Sequence, residues 1–306
     1  MLFAALLNTF AMNLLPILLL SGAGFAAGKA LHIEPRPLGQ VIFYLFSPIL
    51  VFNLLSNNRL SWQEMGHIAL YAILISLVLG LFTLLLILRS PYPSATRLGL
   101  ILSVAFGNTG NYGLPLVAFA FGKEALAYAT IYFVTNSILF NTLGVVIASL
   151  GHLNLSQALR NLLRVPTIYA VLAALVITQL SVQLPEPLIR TLDLGAAAAI
   201  PLMLVLLGLE LQKVVWGNHR RLILSGVSLR LIVSPLLAWG LALLFGFQGK
   251  AFQAVLTEAS MPAAITTTVL ASEYHLDTPT VTAIVFLSTL LSPLTLTPLI
   301  FLLQQL

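Results

Sequence analysis

The sequence predicts an all-α integral membrane protein of ten transmembrane helices, built as a five-plus-five inverted repeat with broken fourth and ninth helices. Three observations predict it. Of 306 residues, 59% are hydrophobic and 8% charged, against about 25% charged in a typical soluble domain, so the chain cannot present a polar surface to water all round. Apolar runs of about 20 residues recur, the length that spans a bilayer as a helix, and the alternation that a β-barrel requires is absent. The most polar long connection, Gly151 to Arg164, falls near the midpoint and leaves five apolar runs on each side.

The ten spans are 6–30, 37–56, 66–88, 96–121, 125–149, 166–183, 186–211, 221–246, 250–271 and 278–303. The first 28 residues hold no Lys or Arg, which a secretory signal would need, so span 1 reads as a retained helix. Span 2 contains Pro48-Ile49-Leu50-Val51-Phe52. Span 3 offers little polarity beyond Tyr71, Ser76 and Thr83. Span 4 is interrupted by Gly107-Asn108-Thr109-Gly110-Asn111-Tyr112-Gly113-Leu114-Pro115. Span 5 carries Thr135, Asn136, Ser137, Asn141 and Thr142. Spans 6 and 7 are separated only by Gln183-Leu184-Pro185-Glu186-Pro187, and span 7 contains Pro201-Leu202-Met203-Leu204-Val205. Span 8 holds Arg230. Span 9 carries Thr257, Glu258 and Ser260-Met261-Pro262-Ala263-Ala264, and span 10 carries Ser288, Thr289 and Ser292.

The halves echo one another. Pro48 and Pro201 fall in the second span of each half, and Pro115 and Pro262 in the fourth. Counted from the latter pair, Asn141-Thr142 and Ser288-Thr289 stand at the same offset. An odd number of helices per repeat forces the second copy to be inverted, a common transporter architecture. The domains are then residues 1–150 and 165–306.

Orientation follows from the basic residues. Connections after odd-numbered spans hold Lys29, Arg36, Arg89, Arg97, Arg160, Arg164, Lys213, Arg220 and Arg221. The other side holds Arg59, Lys123, Arg190 and Lys250. The first set is expected to be cytoplasmic, with both termini extracytoplasmic and the protein multi-pass in the cell (inner) membrane.

The Gly107–Pro115 segment cannot hold an ordinary helix, because Gly and Pro are the worst interior helix residues. At membrane depth, irregular backbone survives only where it is buried in protein or lines a cavity. A break frees backbone N–H groups at the start of one half-helix, which attract anions. It frees carbonyls at the end of the other, which attract cations. It also lets a ligand approach the backbone at Gly107, Gly110 and Gly113. A simple proline kink needs one Pro and neither the glycines nor the amides. A single Ser or Thr in a span reads as helix–helix glue, whereas Asn108 and Asn111 coincide with the break and read as functional. The expected substrate-binding set is Asn108, Gly110, Asn111, Gly113, Pro115, Asn141, Ser260 and Pro262. Ser137 and Asn141, four apart, share a helix face.

Glu258, four residues before Pro262, is an acid near mid-span and a candidate for the coupling ion, H⁺ or Na⁺; the bland alternative is a Glu facing a water-filled vestibule. Glu210 and Arg230 read as a structural ion pair or as snorkelling side chains, with an anion-attracting role as the alternative. There are no cysteines, so there is no thiol chemistry. The five His show no ligand spacing, so no metal site is expected. The net charge of +5 is carried by single residues between apolar runs, which does not suggest nucleic acid. No Walker loop, HExxH or GxSxG occurs, so no enzyme and no cofactor are expected.

Asn108-x-Gly110-Asn111-x-Gly113-x-Pro115, followed by Phe121-Gly122, resembles the fourth-helix signature of the auxin efflux carrier family, which includes bacterial dicarboxylate carriers and plant auxin exporters. Met261-Pro262-Ala263-Ala264 with Ala271-Ser272-Glu273-Tyr274 resembles its ninth-helix segment. The resemblance covers the whole chain in layout. It implies a fold similar to the bile acid:sodium symporters, with the broken helices 4 and 9 crossing each other and a core of helices 3–5 and 8–10 moving against a scaffold of helices 1, 2, 6 and 7; a homodimer through the scaffold helices is also expected. It carries binding roles onto Asn108, Asn111, Gly113, Pro115 and Pro262. The short central connection is unlike the long loop of the plant exporters and points to a prokaryotic carrier. No acid stands in helices 2 or 3, which departs from the plant proton-linked mechanism. The expected function is secondary transport of small organic anions by elevator-type alternating access. The alternatives are sodium-coupled symport of bile-acid-like amphipathic carboxylates, and a non-transporting receptor or scaffold. The expected partners are the organic anion and the lipid bilayer.

Overall fold

The computed structural model describes residues 2–57, 60–149, 163, 165–212, 214 and 216–306. Within these residues every regular element is a helix. We number them α1 (Leu2–Leu31), α2 (Pro35–Asn57), α3 (Trp62–Ile87), α4 (Ser94–Ala105), α5 (Thr109–Ala148), α6 (Pro166–Gln179), α7 (Glu186–Leu211), α8 (Arg220–Leu244), α9 (Gly249–Ala259), α10 (Thr266–Glu273) and α11 (Thr278–Leu303). The predicted central connection lies outside the described residues except for Leu163, and so do Arg59 and Lys213.

Several helix ends are set by local chemistry. Ser61 caps α3 through a reciprocal pair with Glu64, which satisfies two otherwise orphaned donors. Asp277 caps α11 by accepting from the Thr280 N–H. Inside the helices several prolines leave the same mark, though Pro201, Pro293 and Pro298 do not. Four π-helical turns, Phe10–Leu14, Ile42–Phe46, Thr109–Gly113 and Leu229–Val233, each end two residues before a proline: Pro16, Pro48, Pro115 and Pro235. The ring offers no N–H and clashes with the carbonyl four residues back, so the preceding turn widens to accommodate it.

By length and composition, seven of these helices are able to cross a membrane, and α4 and α6 are shorter apolar helices. The sequence predicts ten spans; α6 falls short with 14 residues, and the rest of the difference has two physical sources. The breaks at 106–108 and 260–265 cut spans 4 and 9 into pieces: α4 has 12 residues and α9 has 11, about 16–18 Å of helix each. The second source is Gly122, whose φ of 81° and ψ of −171° interrupt α5. A straight helix would hold Thr109 and Asn136 about 40 Å apart, yet the Asn136 amide donates to Thr109 Oγ1 at 3.2 Å. The 40-residue α5 is therefore a hairpin of two arms, 109–121 and 123–148, folded at Gly122.

α1 runs along α7, and α2 packs on α6 and α7. Small residues permit the close α1–α7 approach, with Gly24 against Val205 and Gly208 against Ser21. In the other group α3 packs on α4 and α5, α9 on α5, α4 on α11, and α8 on α9 and α11. Tyr71 ties α3 to α8 by donating to the Ala238 carbonyl at 2.9 Å. Outward-facing leucines such as Leu19, Leu81, Leu85, Leu236, Leu244 and Leu294 remain exposed, as a lipid-facing surface requires.

The connections sort to two ends. Gln212 donates to the Ile33 carbonyl at 3.2 Å, the Tyr92 and His219 rings meet edge to face, and Thr96 and Thr280 both donate to Asp277. The segments after α1, α3, α7 and α10 thus share one end. At the other, His67 stacks on Phe245, Tyr128 donates to Glu64, and Gln304 donates to the Ala120 carbonyl.

Candidate functional site

The two breaks meet. Gly107 and Ala263 form an isolated antiparallel bridge, in which the Asn108 N–H donates to the Pro262 carbonyl at 2.8 Å and the Ala264 N–H to the Phe106 carbonyl at 3.0 Å. Each break therefore satisfies backbone groups that the other exposes, which is why neither needs a continuous helix at this depth. Side chains brace the crossing. Asn136 donates to the Gly107 carbonyl at 3.4 Å and to Thr109 Oγ1, and the Ala263 N–H donates to Ser288 Oγ at 3.2 Å. Tyr112 is held by the Ser292 hydroxyl, which donates to its oxygen at 3.0 Å.

Four helix ends converge at this crossing. α4 and α9 arrive with their C-termini, and α5 and α10 leave with their N-termini. Each terminus carries roughly half a charge, negative at a C-terminus and positive at an N-terminus. On the C-terminal side sits Arg230, 2% exposed, from the π-helical turn of α8. Its Nε donates to the Met261 carbonyl at 2.6 Å, Nη1 to the Val104 carbonyl at 3.0 Å, and Nη2 to the Ala259 carbonyl at 3.2 Å. Ser234 Oγ lies 3.4 Å from Nη1 and donates to Ala259 as well. The two C-termini together supply about one negative charge, which balances the guanidinium. The ion pair with Glu210 expected from the sequence is not formed: among the described residues no carboxylate bridges Arg230, and its partners are carbonyls. The signal in the sequence was an Arg in the span facing two breaks, but which carbonyls it would meet depends on the crossing itself.

On the N-terminal side lies a cavity of about 910 Å³. Gly107 to Asn111 and Ala264 to Thr266 line it from the breaks, with Asn136, Ser137 and Asn141 from α5 and Glu210 from α7. It extends past Arg36, Glu273 and Thr278, at the end shared by the odd-numbered connections. The first N–H groups of the 109–121 arm have no intrahelical acceptor, and Gly110 and Asn111 are among them. The Asn108 side-chain nitrogen is buried without a hydrogen-bond partner, a donor aimed at nothing the protein supplies. Asn111 faces the Glu210 carboxyl. Phe133, Phe140 and Met203 give the cavity an apolar wall.

Of the residues expected to bind substrate, Asn108, Gly110, Asn111 and Asn141 line this cavity. The Asn141 amide is partly engaged, donating to the Ser137 carbonyl at 2.8 Å. Gly113, Pro115, Ser260 and Pro262 lie behind the lining. Ser260 donates to the Leu256 carbonyl, and Pro262 accepts from Asn108. Glu258 is fully buried, packs against Gly113, and neither of its oxygens has a hydrogen-bond partner. The vestibule alternative for Glu258 therefore does not describe this structure. Asn136 and Arg230, both essential to the crossing, were absent from the expected binding set.

Comparison with known proteins gives the chain's family. A family model described as membrane transport protein matches residues 9–152 and 149–300. The chain is 30% identical over 270 residues to an uncharacterized transporter of Methanothermobacter thermautotrophicus, covering 85% of this chain and 86% of that one. It is 28% identical over 277 residues to an uncharacterized transporter of Methanocaldococcus jannaschii, covering 83% and 85%. It is 27% identical over 284 residues to a Rhizobium meliloti protein named "Putative malonate transporter", covering 88% and 87%. The family match spans nearly the whole chain and includes both breaks, and with it the chain belongs to the auxin-efflux-carrier-like family of membrane transport proteins.

Proposed function

We propose that this chain is a secondary active transporter of small organic anions, carboxylates of the malonate or aryl-acetate type, working by alternating access. The observation that carries the reading is the convergence of two helix N-termini and the unpartnered Asn108 amide on one cavity. Two N-termini contribute about one positive charge, suited to one carboxylate. The apolar wall of Phe133, Phe140 and Met203 favours a substrate with a hydrocarbon body, which keeps bile-acid-like carboxylates as a second reading. The name of the Rhizobium relative adds malonate to the substrates worth testing.

The packing supports a ten-pass inverted repeat. Pairing α1 with α6, α2 with α7, α4 with α9 and the second arm of α5 with α11 maps several of the larger contacts onto one another. The α1–α7 contact becomes α6–α2, and α4–α11 becomes α9–α5. The same packing supports a scaffold of α1, α2, α6 and α7, with the crossing carried by a separate moving group. We place the end bearing Arg36, Arg89 and Arg220 in the cytoplasm, which makes the cavity inward-facing. Glu258 is our candidate for the coupling residue: an ionised carboxylate without a partner at this depth is costly, so a proton is its natural companion.

The test is a thermal-shift screen of purified protein against malonate, malate, indole-3-acetate and taurocholate, followed by uptake into proteoliposomes. At least one carboxylate should raise Tm and be accumulated. A protein stabilised by none and transporting none would be a receptor or scaffold.

A further inference from the structure

Arg230 occupies the place where a transporter of this shape would hold a coupling cation. Discontinuous membrane helices coordinate alkali ions with unwound carbonyls and half-helix C-terminal ends. Here the carbonyls of Val104, Ala259 and Met261 are such a set, drawn from both half-helices, and all three accept from one guanidinium. The space is full. A methyl group at Gly107 would run into the Arg230 guanidinium, so this glycine touches that charge and also lines the cavity. The guanidinium is permanently charged, since Arg does not deprotonate in proteins. It has no carboxylate partner among the described residues, and the carbonyls it meets belong to the helix ends and the break.

We propose that Arg230 is a built-in cation that replaces Na⁺ at the crossing and sets the field felt by the anionic substrate through Gly107, so that substrate binding requires Arg230 and not Na⁺. This rests on the anion-transport reading. It also divides the coupling choices: a resident cation cannot be taken up and released, which leaves Na⁺ no place among these carbonyls.

The experiment is calorimetric titration of the full chain in nanodiscs with malonate, malate and indole-3-acetate, in NaCl and in choline chloride. The wild type should bind at least one anion with affinities in the two salts within about twofold. Arg230→Gln keeps two donors for the carbonyls and removes the charge. It should bind about one to two decades more weakly in choline, with part of the loss recovered in Na⁺ or in millimolar guanidinium. Arg230→Lys keeps the charge and should remain Na⁺-independent, with a smaller loss. Folding of each variant is checked by monodispersity and melting, and if the Gln variant does not fold, the Lys variant and the wild-type salt comparison decide the matter. Wild-type binding that requires Na⁺, a Lys variant that acquires a Na⁺ requirement, or a Gln variant equal to the wild type in choline would overturn the proposal while leaving anion transport standing. No binding by the wild type in either salt would instead bring down the anion reading, and this proposal with it.

Discussion

A single methyl group at Gly113 would sit about 2.8 Å from Glu258 Oε1, inside the contact distance of any real Cβ. Gly113→Ala is therefore expected to cost about 1–3 kcal/mol, the usual range for overpacking a rigid core, read as a fall in Tm. Gly113→Ala combined with Glu258→Ala should recover most of that loss. A single variant as stable as the wild type would mean that the carboxyl moves aside freely. A second residue-scale expectation concerns Asn108, whose amide has no partner. Asn108→Ala should leave stability nearly unchanged, because it removes no hydrogen bond within the protein, and should weaken carboxylate binding. A bond to an ionised ligand is worth roughly 1.5–3 kcal/mol, or about one to two decades in affinity. Equal affinities in calorimetry would take Asn108 out of the site. At this scale the sequence was partly legible. Asn108, Gly110 and Asn111 declared themselves because amides and glycines inside an apolar run have few other uses. Gly113 was singled out for ligand approach, and its neighbour turned out to be Glu258. Arg230 was misassigned because its partners are carbonyls, which no side-chain pattern reveals.

At the scale of elements, the prolines and one glycine shape the chain. Gly122 holds φ 81° and ψ −171°, a region essentially reserved for glycine. Gly122→Ala should cost about 1–3 kcal/mol, even though nothing lies within 4 Å of the added carbon. The loss would thus be one of backbone strain alone, and an unchanged melting temperature would mean that the hairpin is fixed elsewhere. The spans on either side were legible because both arms are apolar, and the boundary was placed near this residue. The short lengths of α4 and α9 were less visible. Hydropathy reads straight through a break whose residues are small and apolar enough, and only the Gly, Asn and Pro cluster gave the first one away. The second break, Ser260-Met261-Pro262, is an ordinary sequence on its own. Its repeat partner Pro115 pointed to it, but its hydrogen bonding to the first break is a long-range fact that local propensity does not encode.

At the scale of the whole molecule, the sorting of connections to two ends turns a charge count into a testable orientation. Arg36, Arg89, Arg97, Arg220 and Arg221 stand near segments that touch one another at one end, through Gln212 with Ile33 and through the cluster of Tyr92, His219, Thr96 and Asp277. Lys123 and Lys250 belong to the opposite end. Loop Lys and Arg concentrate on the cytoplasmic side of membrane proteins, so the first end should be cytoplasmic. The cavity reaches that same end, so the orientation also decides which side the site faces in this conformation. The chain contains no cysteine, and Arg89 and Lys123 are both exposed. Arg89→Cys and Lys123→Cys therefore report the two ends with a membrane-impermeant maleimide on intact spheroplasts. Position 123 should be labelled from outside, and position 89 only after the membrane is permeabilised. The reverse pattern would invert the molecule and make the cavity outward-facing. The membrane potential, worth about 2.3 kcal/mol per charge per 100 mV, would then oppose entry of an anion from the very side on which the site is open. Labelling of both positions from outside would contradict the helix count between them, because residues 89 and 123 are separated by one crossing made of α4 and the first arm of α5. That single crossing is the broken one, so the labelling experiment also tests whether two half-helices joined at Gly107–Asn108 span the membrane as one.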